Sequence, residues 1–410
     1  MKNKKNVSPY SKTTKTTRFN MRQVFNTYCC GCGLCESAGY TKMTEDSKGF
    51  LFPCDLTPER ESFCKSVCPA STCAIVNNTE HNIWGSYLAF FSGCSSNSSI
   101  RKNGSSGGVI TAICCYLLEK GYVDAIIQTI ASLDNPTSTC TVVSEDIASV
   151  KQACGSRYSK SSPLKDILTI IADGRRYAFV GKPCDVNALT NYIQLKPEVE
   201  ERIPYRLSFF CAGTPSQIAN NKLLERLNIN VCDIQKLIYR GDGWPGRTKA
   251  IDLEGQEHSL DYQTAWMEIL GRDIRLSCKF CFDSIGEHAD ISCGDYWYLN
   301  NDKKPDFSEH DGRNCIFAWS HRGKQLLEQM SKDGYLELNE SDISDLRYAQ
   351  PNHYNRRATL FTKMLIMKMF GKTIPYYKLS ALKKYTKHVP MKSHLSTAIG
   401  TIRRIRKKSL

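Results

Sequence analysis

The chain has 410 residues, 41% of them hydrophobic, which is enough for a core and for more than one domain. Its net charge of +14 sits at the ends: 16 Lys/Arg and no acid follow Asp345, and 7 Lys/Arg and no acid precede Glu36, which leaves the middle at −9. An acidic body with basic ends is not the pattern of a nucleic-acid-binding domain, and no nucleic-acid partner is expected.

Twenty cysteines fit either a secreted disulfide protein or an intracellular metal protein. The N-terminus is rich in Lys, Thr and Ser and lacks an apolar signal core. Adjacent cysteines (Cys29-Cys30, Cys114-Cys115) and C-x2-C pairs suit cluster ligation better than bridges. A cytoplasmic protein with iron–sulfur or zinc is expected.

Residues 1–22 read as a disordered basic tail. Cys29, Cys32 and Cys35 form C-x2-C-x2-C, the first three ligands of a ferredoxin-type run. The usual fourth is missing, with Gly39 in its place. Cys64-x3-Cys68-Pro69 is the tail of a second run whose first two positions are Pro58 and Glu61. One complete set remains: Cys29, Cys32, Cys35 and Cys68. It predicts one [4Fe–4S] cluster in a ferredoxin-type domain over 23–80, with Cys30, Cys54, Cys64 and Cys73 spare. A zinc knuckle with the same ligands is the alternative.

Residues 80–100 read as a linker and an opening strand. Small residues from Gly104 to Gly108 then lead into an amphipathic helix with Ile110, Ile113, Leu117 and Leu118 on one face. Ser105 or Ser106 can cap it. A helix start preceded by Ser-Gly-Gly suits an anion, although a plain capped helix explains the same residues. A strand is expected over 123–130.

Gly155-Ser156-Arg157-Tyr158 lies in a second small, polar loop. There Arg157 could pair with a phosphate and Tyr158 could stack on a ring; a solvated turn is the alternative. A helix is expected over 163–172 and a strand over 176–180, before Gly181-Lys182-Pro183-Cys184. Helices over 185–193 and 216–228 alternate with the strands ahead of Cys184 and Cys211, which predicts an α/β domain. Arg240 to Gly246 is a turn-rich loop.

Cys278 and Cys281 form a C-x2-C turn and need partners from elsewhere. Cys184 and Cys211, each at a strand end beside Gly or Pro, are the best candidates. Ordinary buried thiols are the alternative. A strand over 315–319 and a helix over 323–333 follow. Residues 359–370 are apolar but too short to span a bilayer, and 395–410 form a basic amphipathic end.

Together these pieces resemble the beta subunit of the coenzyme F-420 hydrogenase/dehydrogenase family of iron–sulfur flavoproteins. The resemblance rests on Ser105-Ser106-Gly107-Gly108-Val109-Ile110-Thr111, Gly155 to Tyr158, Gly181 to Cys184, Phe210 to Gly213, Cys278-x2-Cys281 and Ala289 to Asp295, in family order over roughly residues 80–300. It implies FAD approached by the first two motifs, and a second [4Fe–4S] cluster held by Cys184, Cys211, Cys278 and Cys281. The N-terminal ferredoxin-type addition is similar to longer bacterial and plastid members. Bacterial relatives accompany surface polysaccharide synthesis, which implies a small-molecule or glycan-related substrate and suits a peripheral membrane position.

The expected fold is α/β (α+β overall): a ferredoxin-like cluster domain, a central α/β domain over 81–345 that binds FAD and a cluster, and a basic helical C-terminal extension over 346–410. The expected function is an oxidoreductase taking electrons from ferredoxin or a similar one-electron donor through two clusters to FAD. Lys182, beside Cys184, is the candidate catalytic residue, because a cation there would stabilise reduced flavin. The alternatives are an electron-transfer subunit without its own substrate site and a zinc-stabilised interaction protein.

Overall fold

The computed structural model describes residues 21–55, 57–72 and 82–407. Most of the N-terminal tail and Cys73 lie outside the described residues. The chain opens with α1 (Met21–Tyr28) and α2 (Leu34–Ser37), a hairpin of β1 (Met43–Glu45) and β2 (Leu51–Pro53), then α3 (Pro58–Val67) and α4 (Pro69–Thr72). Thr57 caps α3 by accepting from the Arg60 amide, and Pro58 occupies its first turn, where a missing N–H costs nothing.

The central part starts with β3 (Ala89–Ser95), α5 (Ser98–Asn103), α6 (Val109–Glu119), β4 (Ala125–Ala131), β5 (Thr139–Ser144), α7 (Ile147–Gln152) and α8 (Ile167–Ile170). It continues with β6 (Tyr177–Gly181), α9 (Pro183–Leu195), β7 (Tyr205–Phe209) and α10 (Gln217–Leu227). A small antiparallel sheet of β8 (Ile234–Ile238), β9 (Thr248–Asp252) and β10 (Glu257–Leu260) follows. Then come α11 (Leu276–Lys279), β11 (Ile291–Asp295), β12 (Asn314–Ala318), α12 (His321–Lys332) and β13 (Leu336–Glu340).

Eight strands make one mixed sheet in the order β13-β3-β12-β11-β7-β6-β4-β5. The four central strands, β11, β7, β6 and β4, run parallel, and the pairs beyond them are antiparallel. Parallel strands are covered on both faces, which explains the unbroken apolar run Tyr177-Ala178-Phe179 in β6, all without solvent exposure. Ile113 and Leu117 of α6 pack on one face with Leu327 and Met330 of α12. Ile167, Val186 and Leu189 pack on the other.

The chain ends in α13 (Leu346–Ala349), α14 (Pro351–Met369), α15 (Leu379–Lys383) and α16 (Met391–Arg406). These helices share a core with the N-terminal segment and the cysteine turn: Val24, Phe25 and Tyr28 meet Phe280, Phe282, Leu360, Met364 and Tyr385. The Tyr28 hydroxyl donates to the Thr373 carbonyl at 2.6 Å, tying the two ends together. The apolar stretch over 359–370 is therefore the second half of a packed helix.

Two local readings differ from the structure. The helix expected over 163–172 is limited to α8 and a single 3-10 turn to Asp173, because Leu164 spends its amide on the Cys32 carbonyl at 2.9 Å. Neither Ser105 nor Ser106 caps α6. Gly108 holds the cap position at φ +73° without a side-chain bond. The Ser106 hydroxyl donates to the Arg313 carbonyl (2.8 Å), and the Ser105 hydroxyl accepts from Ser156 (2.8 Å).

Candidate functional site

A cavity of about 510 Å3 opens at the carboxyl ends of the parallel strands, where α/β sheets bind ligands. Its first wall is the start of α6. Ser105, Ser106, Gly108 and Thr111 line it. Gly108 supplies no side-chain cap and the Val109 amide donates to Asn314 Oδ1 at 3.4 Å, so what the start of α6 turns to the cavity is the positive end of the helix dipole. Gly107 does not line the cavity. A Cβ on it would come within 2.8 Å of the Gly93 carbonyl and of Asn314 Oδ1, so this glycine lets α6 approach the sheet.

The second wall is Gly155, Ser156, Arg157 and Tyr158. Both small-residue loops read from the sequence therefore face one space. Arg157 donates to the Ser156 and Cys154 carbonyls at 3.0 and 3.3 Å, while its buried Nε has no partner. Burial pulls the guanidinium below its ordinary value. A half-buried guanidinium on a cavity wall fits an anionic group such as a phosphate.

Lys182, Asp185 and Cys211 stand on the floor. Lys182 Nζ lies 2.8 Å from Asp185 Oδ2 and 2.6 Å from Ser161 Oγ. Burial works against this ammonium, but Asp185 and the thiols of Cys184 and Cys211 hold it charged. Burial likewise raises Asp185 to about 6 against the pull of Lys182.

A third wall escaped sequence reading. Arg240 makes a bidentate pair with Asp295, at 2.9 and 3.0 Å, and stacks over Tyr262 and Trp297. Trp244 donates to Asp295 at 2.8 Å and lies parallel to Trp297, centroids 4.6 Å apart. Arg240 was visible only as the start of a turn-rich loop. Its partner Asp295 is distant in sequence, so no local pattern announced the pair.

The cysteines gather in linked groups beside the floor. Cys30 lies within interaction range of both Cys184 and Cys32; these thiols pull its own pKa down, and it raises theirs. Cys35 neighbours Cys64, and Cys64 neighbours Cys68. Cys29 lies within electrostatic reach of Cys30 and Cys35; burial is the main reason its pKa rises to about 11. Cys211 neighbours Cys278, with burial as the main reason that it rises to about 12. The Thr214 amide donates to Cys278 Sγ at 3.4 Å, and Cys281 closes the same turn. Cys30 and Cys64, counted as spare in the sequence, are thus built into the thiol networks. Among the described residues no three His, Cys, Asp or Glu side chains converge on a single metal-ion position.

Cations and a hydroxyl brace these turns. Arg275 donates to the Cys29 carbonyl at 2.8 Å and Ser162 to the Gly31 carbonyl at 2.7 Å. Arg356 of α14 donates to the Ala212 carbonyl at 2.8 Å, and Lys363 to the Lys279 carbonyl at 2.7 Å. The N-terminal motif, the inner cysteine loops and the C-terminal helices thereby form one packed neighbourhood.

An α/β sheet with a cofactor-sized cavity beside clustered thiols defines the class. The chain belongs to the coenzyme F420 hydrogenase/dehydrogenase beta subunit family: the family's N-terminal part matches residues 90–169 and its C-terminal part residues 174–343. It is 26% identical over 254 residues to the F420-dependent formate dehydrogenase 1 subunit beta of Methanococcus maripaludis, a match covering 59% of each chain. It is 23% identical over 266 residues to the coenzyme F420 hydrogenase subunit beta of Methanosarcina barkeri, covering 62% of this chain and 82% of that one. A match at 27% identity to the coenzyme F420-dependent sulfite reductase of Methanocaldococcus jannaschii covers 62% of this chain and 38% of that protein. This chain spans 59% and 58% of the length of the two formate dehydrogenase beta subunits it matches. A chain of the F420-reducing [NiFe] hydrogenase complex from Methanosarcina barkeri shares the fold, with a TM-score of 0.54 at 20% identity over 71% of this chain and 97% of that chain.

Proposed function

We propose that this protein is an iron–sulfur flavoprotein oxidoreductase that moves electrons from a one-electron donor through cysteine-held clusters to a flavin in the cavity. The observation that carries this reading is the shared location of the two small-residue loops, Lys182 and Cys211 on one cavity, with Cys184 at the neighbouring strand end. Two [4Fe–4S] clusters are assigned, one to Cys29, Cys32, Cys35 and Cys68, the other to Cys184, Cys211, Cys278 and Cys281. The proximity of Cys30 to both Cys32 and Cys184 supports close spacing of the two sets, which would suit electron passage between them.

Bound FAD would collect single electrons and deliver them in pairs. The start of α6 and the guanidinium of Arg157 would hold its phosphates. Lys182 would place a fixed positive charge near the reduced ring. The donor would be a ferredoxin-type protein and the final acceptor a small or glycan-related molecule. The names of the matched relatives support a second reading, in which the chain is an electron-transfer subunit of a larger assembly.

Among the described residues no helix is long and apolar enough to cross a membrane. Peripheral contact with an anionic bilayer is supported by Met391, Leu395 and Ile399, exposed at four-residue spacing on the basic helix α16. Sedimentation with anionic but not neutral vesicles is expected.

The redox reading is tested with Cys281→Ser in the full chain. Loss of one cluster and of flavin reduction by reduced ferredoxin is expected. Reduction at the rate of the unmodified protein would overturn the reading.

A further inference from the structure

The cavity has a wall beyond residues 90–343, the part matched to the family. It is the junction of α13 and α14, Ala349 to His353. Three anchors fix this junction. Gln350 donates to the Asp295 carbonyl, Arg356 to the carbonyls of Cys211 and Ala212, and Arg357 to the Phe282 carbonyl at 3.1 Å. The cavity and the inner cysteine loops are thus held by the same helix.

His353 is the one histidine on the cavity wall and is only 5% exposed. Its Nδ1 sits 2.9 Å from the Ser284 hydroxyl, and its ring meets Phe210 edge-on at 5.1 Å. Nδ1 is therefore engaged, and Nε2 is the ring nitrogen left for the cavity. The charged side chains of the wall are committed. Arg240 holds Asp295, Lys182 holds Asp185, and Arg157 stays cationic.

The groups facing the imidazole are Arg356 and Arg357 from α14, Ser284 from the loop after Cys281, and Phe210 at the end of β7. Glu287 neutralises Arg357. Burial, helped by the two guanidiniums, holds His353 neutral while the cavity carries no added charge. Negative charge arriving in the cavity would reverse that balance through Coulomb attraction.

We propose that His353 is the proton-handling residue of the cavity, taking a solvent proton at Nε2 and passing it to a two-electron carrier of the isoalloxazine class. This rests on the flavin reading above. The balance is two electrons from a reduced iron–sulfur protein and one proton from water, giving the singly charged reduced carrier. His353 ends the cycle neutral, as it began.

The test uses full-length protein with measured iron and flavin contents. His353→Gln keeps a partner for Ser284 but cannot shuttle a proton; His353→Ala leaves room for free imidazole. Stopped-flow reduction by ferredoxin should show unchanged cluster bleaching and flavin reduction slowed about 100-fold in both, within the usual range for a lost acid–base group. Imidazole should restore the rate in His353→Ala and not in His353→Gln. Unchanged flavin reduction in both variants, or slowing that imidazole does not relieve in His353→Ala, would overturn the proposal while the flavin reading stands. A parent protein without flavin would overturn both.

Discussion

The thiol of Cys30 lies within interaction range of the thiol of Cys184, bringing the N-terminal cysteine motif up to the turn after β6. Cys30 also contacts Cys32, so it bridges a candidate ligand of each cluster set. A sulfur in that position changes the polarity around ligand sulfur, and such contacts tune cluster potentials. Cys30→Ser should keep the iron content and shift a cluster midpoint potential, read by electrochemical titration. Loss of about four irons per chain, one cubane's worth, would make Cys30 a ligand instead.

Arg157 offers the cavity a half-buried guanidinium. A charge-assisted hydrogen bond contributes about 1.5–3 kcal/mol. Arg157→Gln should therefore weaken flavin binding by roughly 10- to 100-fold, measured by titrating flavin into stripped protein. Unchanged affinity would remove Arg157 from the phosphate site.

Arg357 is fully buried, paired with Glu287, bonded to the Phe282 carbonyl and stacked on the Phe282 ring at 4.1 Å. Removing one partner strands a buried charge. Arg357→Gln should destabilise the fold by about 3–5 kcal/mol, seen in chemical denaturation. It should also loosen the helix that closes the cavity.

Arg240 and Asp295 form the pair that closes the third wall. Arg240→Gln and Asp295→Asn should each lower the melting temperature. The double variant should lose less than the sum of the two, with a coupling of about 0.5–3 kcal/mol. Additive losses would mean that the two side chains act independently.

How much of this was legible depended on the range of the interactions. The strand ahead of Cys184 carries its burial in an unbroken apolar run, and the loops at 105–108 and 155–158 show themselves in small polar residues; both features are local. The failed cap at Ser105 and Ser106 is not local, since their hydroxyls serve Arg313 and Ser156. The shortened helix near 167 has the same origin, an amide of Leu164 given to Cys32. His353 left no mark because its partners, Phe210 and Ser284, are distant in sequence and meet it only through the packing of α14. The bridging role of Cys30 was hidden because C-x2-C-x2-C spacing makes its neighbours the ligands.

The most direct test is an absorption spectrum with iron, zinc and flavin analysis on protein purified without oxygen. The account predicts a broad band near roughly 400 nm, about eight irons per chain, as two cubane clusters require, and one FAD. A colourless protein containing zinc and no flavin would contradict it.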